Sequence, residues 1–321
     1  MSERPVLAVE DLTMHYSIKA GAVRAVDGVT FSIERGQALG LVGESGSGKS
    51  SIAMTLLRLL PDNAQILRGK ILLDGVDIVP LSEERMREYR WNRISMIFQA
   101  AMNSLNPVYK VGEQIIEALE AHLESAREES IERVRRLYDV VNLDPGLIVR
   151  YPHEYSGGMR QRAIIAMALA CEPNLIIADE PTTALDVIVQ DHILREMRSI
   201  QAELDMSMIY ISHDMAVIAE VSDVVGVMYA GKIVELGGTA DVFHNPIHPY
   251  TRSLMSAFPS VTGKKRELGT LTGEPPNLLD PTEGCRFHPR CPYATDECSY
   301  QEPPKVRRGN HWAACWNPQG E

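Results

Sequence analysis

A glycine-rich loop at residues 43–50, GESGSGKS, carries the clearest chemistry in the chain. It fits the pattern G-x-x-x-x-G-K-[ST] at every fixed position, follows the apolar run 38–42 and precedes a helix-like stretch. Such a loop points backbone N–H groups at phosphate oxygens, and the helix N-terminus favours anions. Lys49 can supply a positive charge for the β- and γ-phosphates, and the Ser50 hydroxyl can bind Mg²⁺. We predict a nucleotide site formed by Gly43, Glu44, Ser45, Gly46, Ser47, Gly48, Lys49, Ser50 and Ser51.

Two adjacent carboxylates, Asp179 and Glu180, follow the apolar run 175–178. In α/β folds, ligands bind at the carboxyl ends of the parallel strands. We therefore predict that Asp179 binds Mg²⁺, and that Glu180 polarises an attacking water as general base. Together with the glycine-rich loop, this pair predicts hydrolysis of a nucleoside triphosphate.

The elements that must hold these residues alternate between strand and helix character. The stretch 100–160 is charged and has apolar residues at three- and four-residue spacing, which is typical of a helical insertion. The alternation favours an α/β core with a largely parallel sheet. Strand patterns are found at 5–42, 69–75, 93–99, 174–180, 206–214 and 224–237, and helix patterns at 51–60 and about 82–91.

Length and composition narrow the class of protein. The 321 residues predict about two domains, or one large domain with an appendage. With 32 Lys and Arg against 43 Asp and Glu, the net charge is −11, which disfavours a nucleic-acid partner. No apolar run approaches the ~18 residues that cross a bilayer, and the N-terminus has no apolar signal-peptide core, so we expect a cytosolic location.

The segment Ser156-Gly157-Gly158-Met159-Arg160-Gln161 completes a set of motifs that resembles the nucleotide-binding subunits of ATP-binding cassette (ABC) transporters. The family form usually has Gln where this chain has Met159. The resemblance covers about residues 5–240. It implies a P-loop NTPase (RecA-like) core with an N-terminal antiparallel β subdomain and a helical insertion, and ATP with Mg²⁺ as ligands.

The same resemblance implies that ATP is sandwiched between two subunits. Ser156, Gly157, Gly158 and Gln161 would then bind the ATP held by the opposite subunit, as the signature sequence of the family does. Thr183-Ala184-Leu185-Asp186 matches the D-loop, so Asp186 would face the partner subunit.

Three further positions take their roles from the family. Gln99 matches the Q-loop glutamine, which contacts Mg²⁺ or the attacking water. His213 matches the switch histidine near the γ-phosphate. Tyr16 matches, less specifically, the aromatic residue that stacks on adenine; the alternative is a sheet-surface tyrosine.

Residues 99–107 and 245–251, with the cysteine-bearing tail, resemble the ATPases of dipeptide and oligopeptide importers, of the D-subunit type. That resemblance implies uptake of short peptides across the cytoplasmic membrane and a peripheral location on its cytoplasmic face. The implied partners are two integral-membrane permease subunits, a second, different ATP-binding subunit and an extracytoplasmic peptide-binding protein. The alternatives are another cargo of the same importer class (nickel, an opine or a sugar), a non-transport ABC ATPase, and a module that uses ATP only as a switch.

The tail carries four cysteines, Cys285, Cys291, Cys298 and Cys315, whereas Cys171 lies in an apolar helical pattern and is interpreted as an inert core residue. Four thiolates suit Zn²⁺ or an iron–sulfur cluster. The absence of a Cys-x-x-Cys pair favours iron and sulfur, and importer ATPases with this pattern carry a [4Fe–4S] cluster. Disulfides or free thiols are the remaining alternatives.

The resulting division of the chain has three parts. An ATP-binding core would comprise residues 1–99 and 161–240. A helical subdomain with the signature motif would comprise residues 100–160, and a small Cys-rich extension residues 241–321.

Overall fold

The computed structural model describes residues 4–99, 104–123, 125–183, 185–257 and 273–320. Residues 100–103 of the importer-like segment and Ala184 of the D-loop segment lie outside the described residues. No helix in these ranges is long and apolar enough to cross a bilayer.

The described chain contains helices and strands in alternation. The strands are β1 Leu7–Ile18, β2 Gly21–Ile33, β3 Ala38–Val42, β4 Ala64–Leu73, β5 Val76–Asp77, β6 Ile94–Ile97, β7 Leu175–Asp179, β8 Ser207–Ser212, β9 Val224–Tyr229, β10 Lys232–Gly238, β11 Lys305–Arg308 and β12 His311–Ala314. The α-helices are α1 Lys49–Leu56, α2 Glu83–Tyr89, α3 Val111–Leu123, α4 Arg127–Val140, α5 Gly157–Leu169, α6 Val187–Glu203, α7 Met215–Val221, α8 Thr239–His244, α9 Pro249–Ala257 and α10 Glu297–Tyr300. Short 3₁₀ helices lie at Pro145–Val149, Pro152–Glu154 and His288–Arg290.

These elements form two compact units, of which the first holds the acidic pair. The strands β6 and β7 pair in parallel, with Ile94 opposite Leu175. All five residues of β7 are buried, so the strand delivers Asp179 at its carboxyl end, as the sequence predicts. Unit 1 comprises Met1–Leu7, Ile33–Gln37 and Leu72–Tyr210.

The predicted helical insertion is present in unit 1 as α3 and α4, followed by two 3₁₀ turns. The helix α3 buries Ile115, Ile116 and Leu119 along one side, which is the spacing that the sequence shows. The hydroxyls of Tyr138 and Tyr155 lie 3.0 Å apart in the buried interior of this region, which satisfies two polar groups without water. The insertion therefore has its own packed core.

The second unit holds the glycine-rich loop and the tail. Its central strands follow the order β11-β12-β10-β9-β3. The strands β3 and β9 are parallel, and the other pairs are antiparallel. The two-residue turn between β9 and β10 places both Ala230 (φ 50°) and Gly231 (φ 83°) in the left-handed region, which is the geometry of a type I′ hairpin. Unit 2 comprises Ala8–Ser32, Ala38–Ile71 and Ile211–Glu321.

The described part of the tail packs onto the sheet of unit 2. The strands β11 and β12 extend the sheet of unit 2, because β12 pairs with β10. Tyr250 and Phe287 are fully buried and pack against Tyr229, with ring centroids 4.6–5.3 Å apart. A few large aromatic side chains therefore supply the apolar area of the described part of the tail, although its sequence shows no periodic apolar pattern.

Candidate functional site: a phosphate-binding loop and an acidic strand end

The glycine-rich loop connects β3 to α1, so the predicted strand–loop–helix context is present. Gly43 (φ 151°) and Gly48 (φ 105°) adopt backbone conformations that side chains rarely allow. A Cβ atom at either position would lie 2.2 Å from a backbone oxygen, of Met228 and Ala25 respectively. These two glycines therefore allow the loop to curl tightly between β9 and β2.

Lys49 lies folded over this loop. Its Nζ donates to the carbonyl oxygens of Gly43 (2.7 Å) and Glu44 (2.9 Å) and to Ser47 Oγ (3.3 Å). The side chain is 7% exposed, whereas Ser50 at the start of α1 is exposed. A buried ammonium surrounded by loop backbone and a helix N-terminus forms an anion site of the kind that holds phosphate groups.

Tyr16 on β1 lies beside the end of this loop. Its hydroxyl donates to Ser51 Oγ over 3.3 Å, and both residues belong to unit 2. The structure therefore places Tyr16 beside the start of α1, and its stacking on adenine stays a prediction.

Gln99 and Glu180, the residue that follows Asp179, meet in unit 1. Asp179 is 4% exposed at the end of β7. Glu180 has φ 48°, an uncommon conformation for a residue with a side chain, and such backbone strain is found preferentially at functional sites. Its Oε2 accepts hydrogen bonds from Gln99 Nε2 (3.0 Å) and Thr183 Oγ1 (2.9 Å). A carboxylate held in this way can accept a proton from water in a fixed direction.

The signature-like segment begins α5. Ser156 is the N-cap, and its Oγ accepts from the N–H of Met159 over 3.3 Å. Gly158 lies close to α6, because a Cβ there would be 3.1 Å from Val189 Cγ1. Gln161 is more buried than the rest of this segment, since it is only 2% exposed within α5. The segment thus presents small residues and a helix start, which is a geometry that favours an anion.

Asp186 and His213 each lie at a helix start in their own unit. Asp186 caps α6, with its Oδ1 accepting from the N–H of Val189 (2.9 Å), and the next two residues, Val187 and Ile188, are 81% and 72% exposed. His213 follows β8 directly and is exposed, just before Asp214 caps α7. Both placements leave the surrounding surface accessible to a partner or a ligand.

The four tail cysteines line one small cavity in unit 2, together with His248, Phe287, Tyr293 and Trp316. The backbone N–H of Cys285 donates to the carbonyl oxygen of Cys298 over 2.8 Å, and a Cβ at Gly284 would lie 2.3 Å from that oxygen. This close backbone approach explains the glycine before Cys285. The structure thus brings the four thiols of the predicted centre around one space.

The predicted metal centre itself is not formed. Within the described residues, no three His, Cys, Asp or Glu side chains are close enough to hold a metal ion. All five cysteines are free thiols. Burial raises the pKa of Cys285 to about 11 and that of Cys315 to about 12, against backbone hydrogen bonds from Phe287 and Asn317 that lower them. Burial thus favours the protonated thiol at Cys285 and at Cys315. Cys171 is buried, and burial raises its pKa to about 11, which fits the predicted inert core residue.

Sequence reasoning missed the residues of the tail that touch the phosphate-binding loop. Arg290 makes a bidentate ion pair with the Glu44 carboxylate, and Tyr250 Oη accepts from the Glu44 N–H. No local pattern indicates these contacts, since Glu44 and Arg290 are 246 positions apart. The one available signal was the turn dipeptide Gly309-Asn310 between two short strand-like runs, which predicts the β11–β12 hairpin.

Comparison with known families gives two matches. Residues 26–183 match the ABC transporter family, and residues 234–298 match the C-terminal region of oligopeptide/dipeptide transporters. The first match contains the glycine-rich loop, the signature-like segment and the acidic pair. The second contains most of the cysteine-bearing tail.

Solved structures show the same fold. The chain superposes on cbiO1 from Clostridium perfringens, a part of the ABC transporter complex cbiONQ, with a TM-score of 0.63 at 26% identity over 75% of this chain and 91% of that chain. It also superposes on the ATP-binding cassette MJ0796 in a dimeric post-hydrolysis state with ADP and phosphate, with a TM-score of 0.64 at 23% identity over 73% of this chain and 98% of that chain. The predicted α/β P-loop NTPase core is confirmed.

Curated relatives match over nearly the whole chain. The identity is 46% to a probable peptide ABC transporter ATP-binding protein (y4tR) of Sinorhizobium fredii, over 97% of this chain and 94% of the relative. It is 44% to the oligopeptide transport ATP-binding protein OppD of Escherichia coli, over 98% and 94%. It is 40% to the dipeptide transport ATP-binding protein DppD of Caldanaerobacter subterraneus, over 97% and 96%. The chain therefore belongs to the ABC transporter ATP-binding proteins of the oligopeptide/dipeptide type.

Proposed function

We propose that the chain hydrolyses ATP to energise the import of dipeptides or oligopeptides through a membrane complex. The observation that carries this proposal is the complete phosphate-binding loop between β3 and α1, in a chain that also carries the oligopeptide/dipeptide transporter C-terminal region. The peptide cargo rests on the relatives, whose names describe peptide, oligopeptide and dipeptide transport.

The binding step would use unit 2. The loop N–H groups and Lys49 would surround the β- and γ-phosphates, and Lys49 would exchange its present carbonyl partners for phosphate oxygens. Tyr16 would stack on the adenine ring. His213 would contact the γ-phosphate side of the nucleotide.

The hydrolytic step would use the carboxylate that Gln99 and Thr183 hold in unit 1. Water attacks the γ-phosphorus while the bond to the leaving ADP oxygen breaks, and a Glu180 carboxylate oxygen accepts the water proton. Gln99 orients that carboxylate through the bond from its Nε2.

The donor set suits Mg²⁺, which prefers carboxylate and hydroxyl oxygens. Ser50 and Asp179 would hold it, with Gln99 as a further ligand. When bound, the ion would neutralise charge on the phosphate oxygens. The chain's own contribution is to present one exposed hydroxyl at the start of α1 and one buried carboxylate at the end of β7.

The working unit is proposed to be a pair of ATP-binding subunits. Ser156, Gly157 and Gly158 at the N-terminus of α5 would contact the nucleotide held by the other subunit, with Gln161 behind them. Asp186 and the exposed Val187 and Ile188 would face that subunit. The second subunit is proposed to be a different chain.

The assembly would include two permease subunits and an extracytoplasmic peptide-binding protein. The chain would lie peripherally on the cytoplasmic face of the membrane. Its functional parts are proposed as a core at 1–99 and 161–240, a helical subdomain at 100–160 and an extension at 241–321.

A metal centre in the extension remains a proposal, as [4Fe–4S] or Zn²⁺. Three features of the cysteine cavity support it. All four thiols line it. Backbone hydrogen bonds from Phe287, Tyr293 and Asn317 reach cysteine sulfurs, as they do around metal-bound thiolates. His248 Nε2 is buried at the cavity without a hydrogen-bond partner among the described residues, and sulfur can accept from it. If bound, the metal would hold the thiols together as thiolates.

The test uses the chain co-expressed with its permeases and partner ATPase and reconstituted in vesicles. We expect uptake of a labelled tripeptide that requires both ATP and the binding protein. Lys49→Ala in this chain should reduce that uptake at least tenfold. Lys19→Ala, in the exposed turn that follows β1, serves as the control. Uptake that persists in Lys49→Ala would contradict the proposal.

A further inference from the structure

Arg290 is held against the second residue of the phosphate-binding loop. Its Nη1 and Nη2 donate to the two carboxylate oxygens of Glu44 over 2.6 and 3.0 Å, and Nη1 also lies 3.3 Å from Tyr229 Oη. The Arg290 side chain is 5% exposed and that of Glu44 is 26% exposed. A bidentate pair with little solvent fixes geometry as well as charge.

A second contact from the extension holds the backbone of the same residue. The N–H of Glu44 donates to Tyr250 Oη over 2.9 Å. Tyr250 is fully buried and lies against Tyr229 and Phe287. Because these rings are packed on all sides, the hydroxyl is a fixed acceptor, and both the main chain and the side chain of Glu44 are held from outside the loop.

The position of Arg290 is set by the cysteine module, which we define as residues 285–315. Arg290 ends the 3₁₀ turn His288–Arg290, between Cys285 and Cys291. The N–H of His288 donates to the Cys285 carbonyl (3.0 Å), and the N–H of Cys291 donates to the His288 carbonyl (3.2 Å). The guanidinium therefore projects from a turn whose two ends are cysteines.

The Glu44 carboxylate has an electrostatic consequence for phosphate binding. Glu44 belongs to the loop that must receive a triphosphate, and its backbone carbonyl accepts from Lys49 Nζ. A carboxylate without a counter-charge there would repel the incoming anion. The Arg290 guanidinium cancels that charge and keeps the side chain turned to the extension.

We propose that Arg290 is a positioning residue that neutralises and orients Glu44, so that ATP affinity depends on an intact cysteine module. This inference rests on the proposed ATPase function and deepens it. The module would then act on nucleotide binding through one ion pair and one tyrosine hydroxyl. The effect is expected on the KM for ATP more than on kcat, because Glu44 belongs to the loop that would bind the phosphates, whereas the proposed general base is Glu180.

The test measures equilibrium binding of a fluorescent ATP analogue, and KM and kcat, on the full chain. Arg290→Ala is expected to weaken binding about tenfold, with kcat changed less than about threefold, and Arg290→Lys is expected to lie between it and the parent. Arg286→Ala is the matched control. Arg286 lies in the same turn region, is 4% exposed and pairs with Asp27 and the Ala230 carbonyl, outside the phosphate-binding loop. It should leave ATP affinity within about twofold of the parent.

A rescue variant separates charge from misfolding. The variant that combines Glu44→Gln with Arg290→Ala lacks the repelling carboxylate. It should therefore recover, on a logarithmic scale, at least a third of the ATP affinity that Arg290→Ala alone loses. No recovery, or equal loss in Arg286→Ala and Arg290→Ala, would overturn the proposal. Unchanged ATP affinity in Arg290→Ala would also overturn it.

The link to the cysteine module is tested with Cys285→Ser. Cys285→Ser is expected to weaken ATP binding as much as Arg290→Ala does. The variant that combines Cys285→Ser with Arg290→Ala should bind ATP no more weakly than either single variant. Additive losses would overturn the link. Failure of the proposed function has a different signature: the parent and Lys49→Ala would bind the analogue equally.

Discussion

Gln99 Nε2 donates a hydrogen bond to Glu180 Oε2 over 3.0 Å, and so joins two segments that are 81 positions apart. Thr183 Oγ1 donates to the same oxygen over 2.9 Å. The Glu180 carboxylate, which follows β7, is thereby held from two sides. Gln99 lies in the segment after β6, and Thr183 lies in the turn that follows Glu180. If Glu180 is the general base, as we propose, its lone pair must point at the water, and these two donors would fix that direction.

The first prediction concerns Gln99. Gln99→Ala should lower kcat for ATP hydrolysis about tenfold and change ATP affinity less than about threefold, because the carboxylate loses one donor while the phosphate-binding loop is untouched. Gln114→Ala is the control, since Gln114 bonds to Asn106 and neighbouring carbonyls and not to Glu180. Steady-state kinetics measure both variants. An equal loss in the two would exclude a specific role for Gln99.

The second prediction separates the ring of Tyr16 from its hydroxyl. Tyr16→Phe removes the bond to Ser51 Oγ and should leave ATP affinity within about twofold. Tyr16→Ala removes the stacking face and should cost about 1–3 kcal/mol of binding, which is at least about fivefold. Titration with a fluorescent ATP analogue measures both. If Tyr16→Ala binds as tightly as Tyr16→Phe, Tyr16 is a sheet-surface residue.

The third prediction is a pH dependence that originates at His248. This side chain is 1% exposed, and Nδ1 accepts the N–H of Tyr250 over 3.0 Å. Burial lowers the pKa of His248 to about 4, although Glu235 opposes the shift. Between pH 6.5 and 4 the unfolded chain therefore binds the extra proton, so the stability is complete above pH 6.5 and falls as the pH drops through this window.

The change is measured as the free energy of unfolding in urea at pH 7 and pH 5. His248 should contribute a loss of about 2 kcal/mol over that interval, which His248→Gln should remove. His192→Gln is the control, because His192 lies exposed on α6. An identical pH slope in the parent and His248→Gln would show that His248 does not titrate in this way.

The fourth prediction concerns the cysteine cavity. Chain purified without oxygen should contain either about four irons with matching sulfide and a broad visible absorption, or one zinc. Cys285→Ser should lose that metal, whereas Cys171→Ser should keep it, because Cys171 is buried elsewhere, in unit 1. Metal analysis decides between iron and zinc. Less than about one-tenth of a metal per chain in the parent would leave the four thiols as an unmetallated cluster.

Local patterns predicted the elements that carry chemistry. The run 38–42 and the helix after Lys49 could be inferred because a buried strand, a glycine-rich turn and a helix are contiguous in the sequence. The same holds for β7 and Asp179. The helix after the loop was predicted at 51–60 and is Lys49–Leu56, since helix ends depend on capping and packing as well as on propensity.

Contacts of the extension were not predictable in this way. The pairing of β12 with β10 and the bond from Arg290 to Glu44 join segments that are far apart in the chain. No periodic pattern in the sequence indicates either contact. The aromatic side chains that pack together here, Tyr229, Tyr250 and Phe287, are also far apart in the sequence. Their role follows only from the three-dimensional packing.

The most direct test of the account is Glu180→Gln. This variant keeps the shape of the side chain but cannot accept the water proton. It should bind ATP within about threefold of the parent, hydrolyse it at least about a hundredfold more slowly, and accumulate as an ATP-bound dimer with its partner ATPase in gel filtration. Turnover within about threefold of the parent would contradict the assignment of Glu180 as general base, and with it the proposed mechanism.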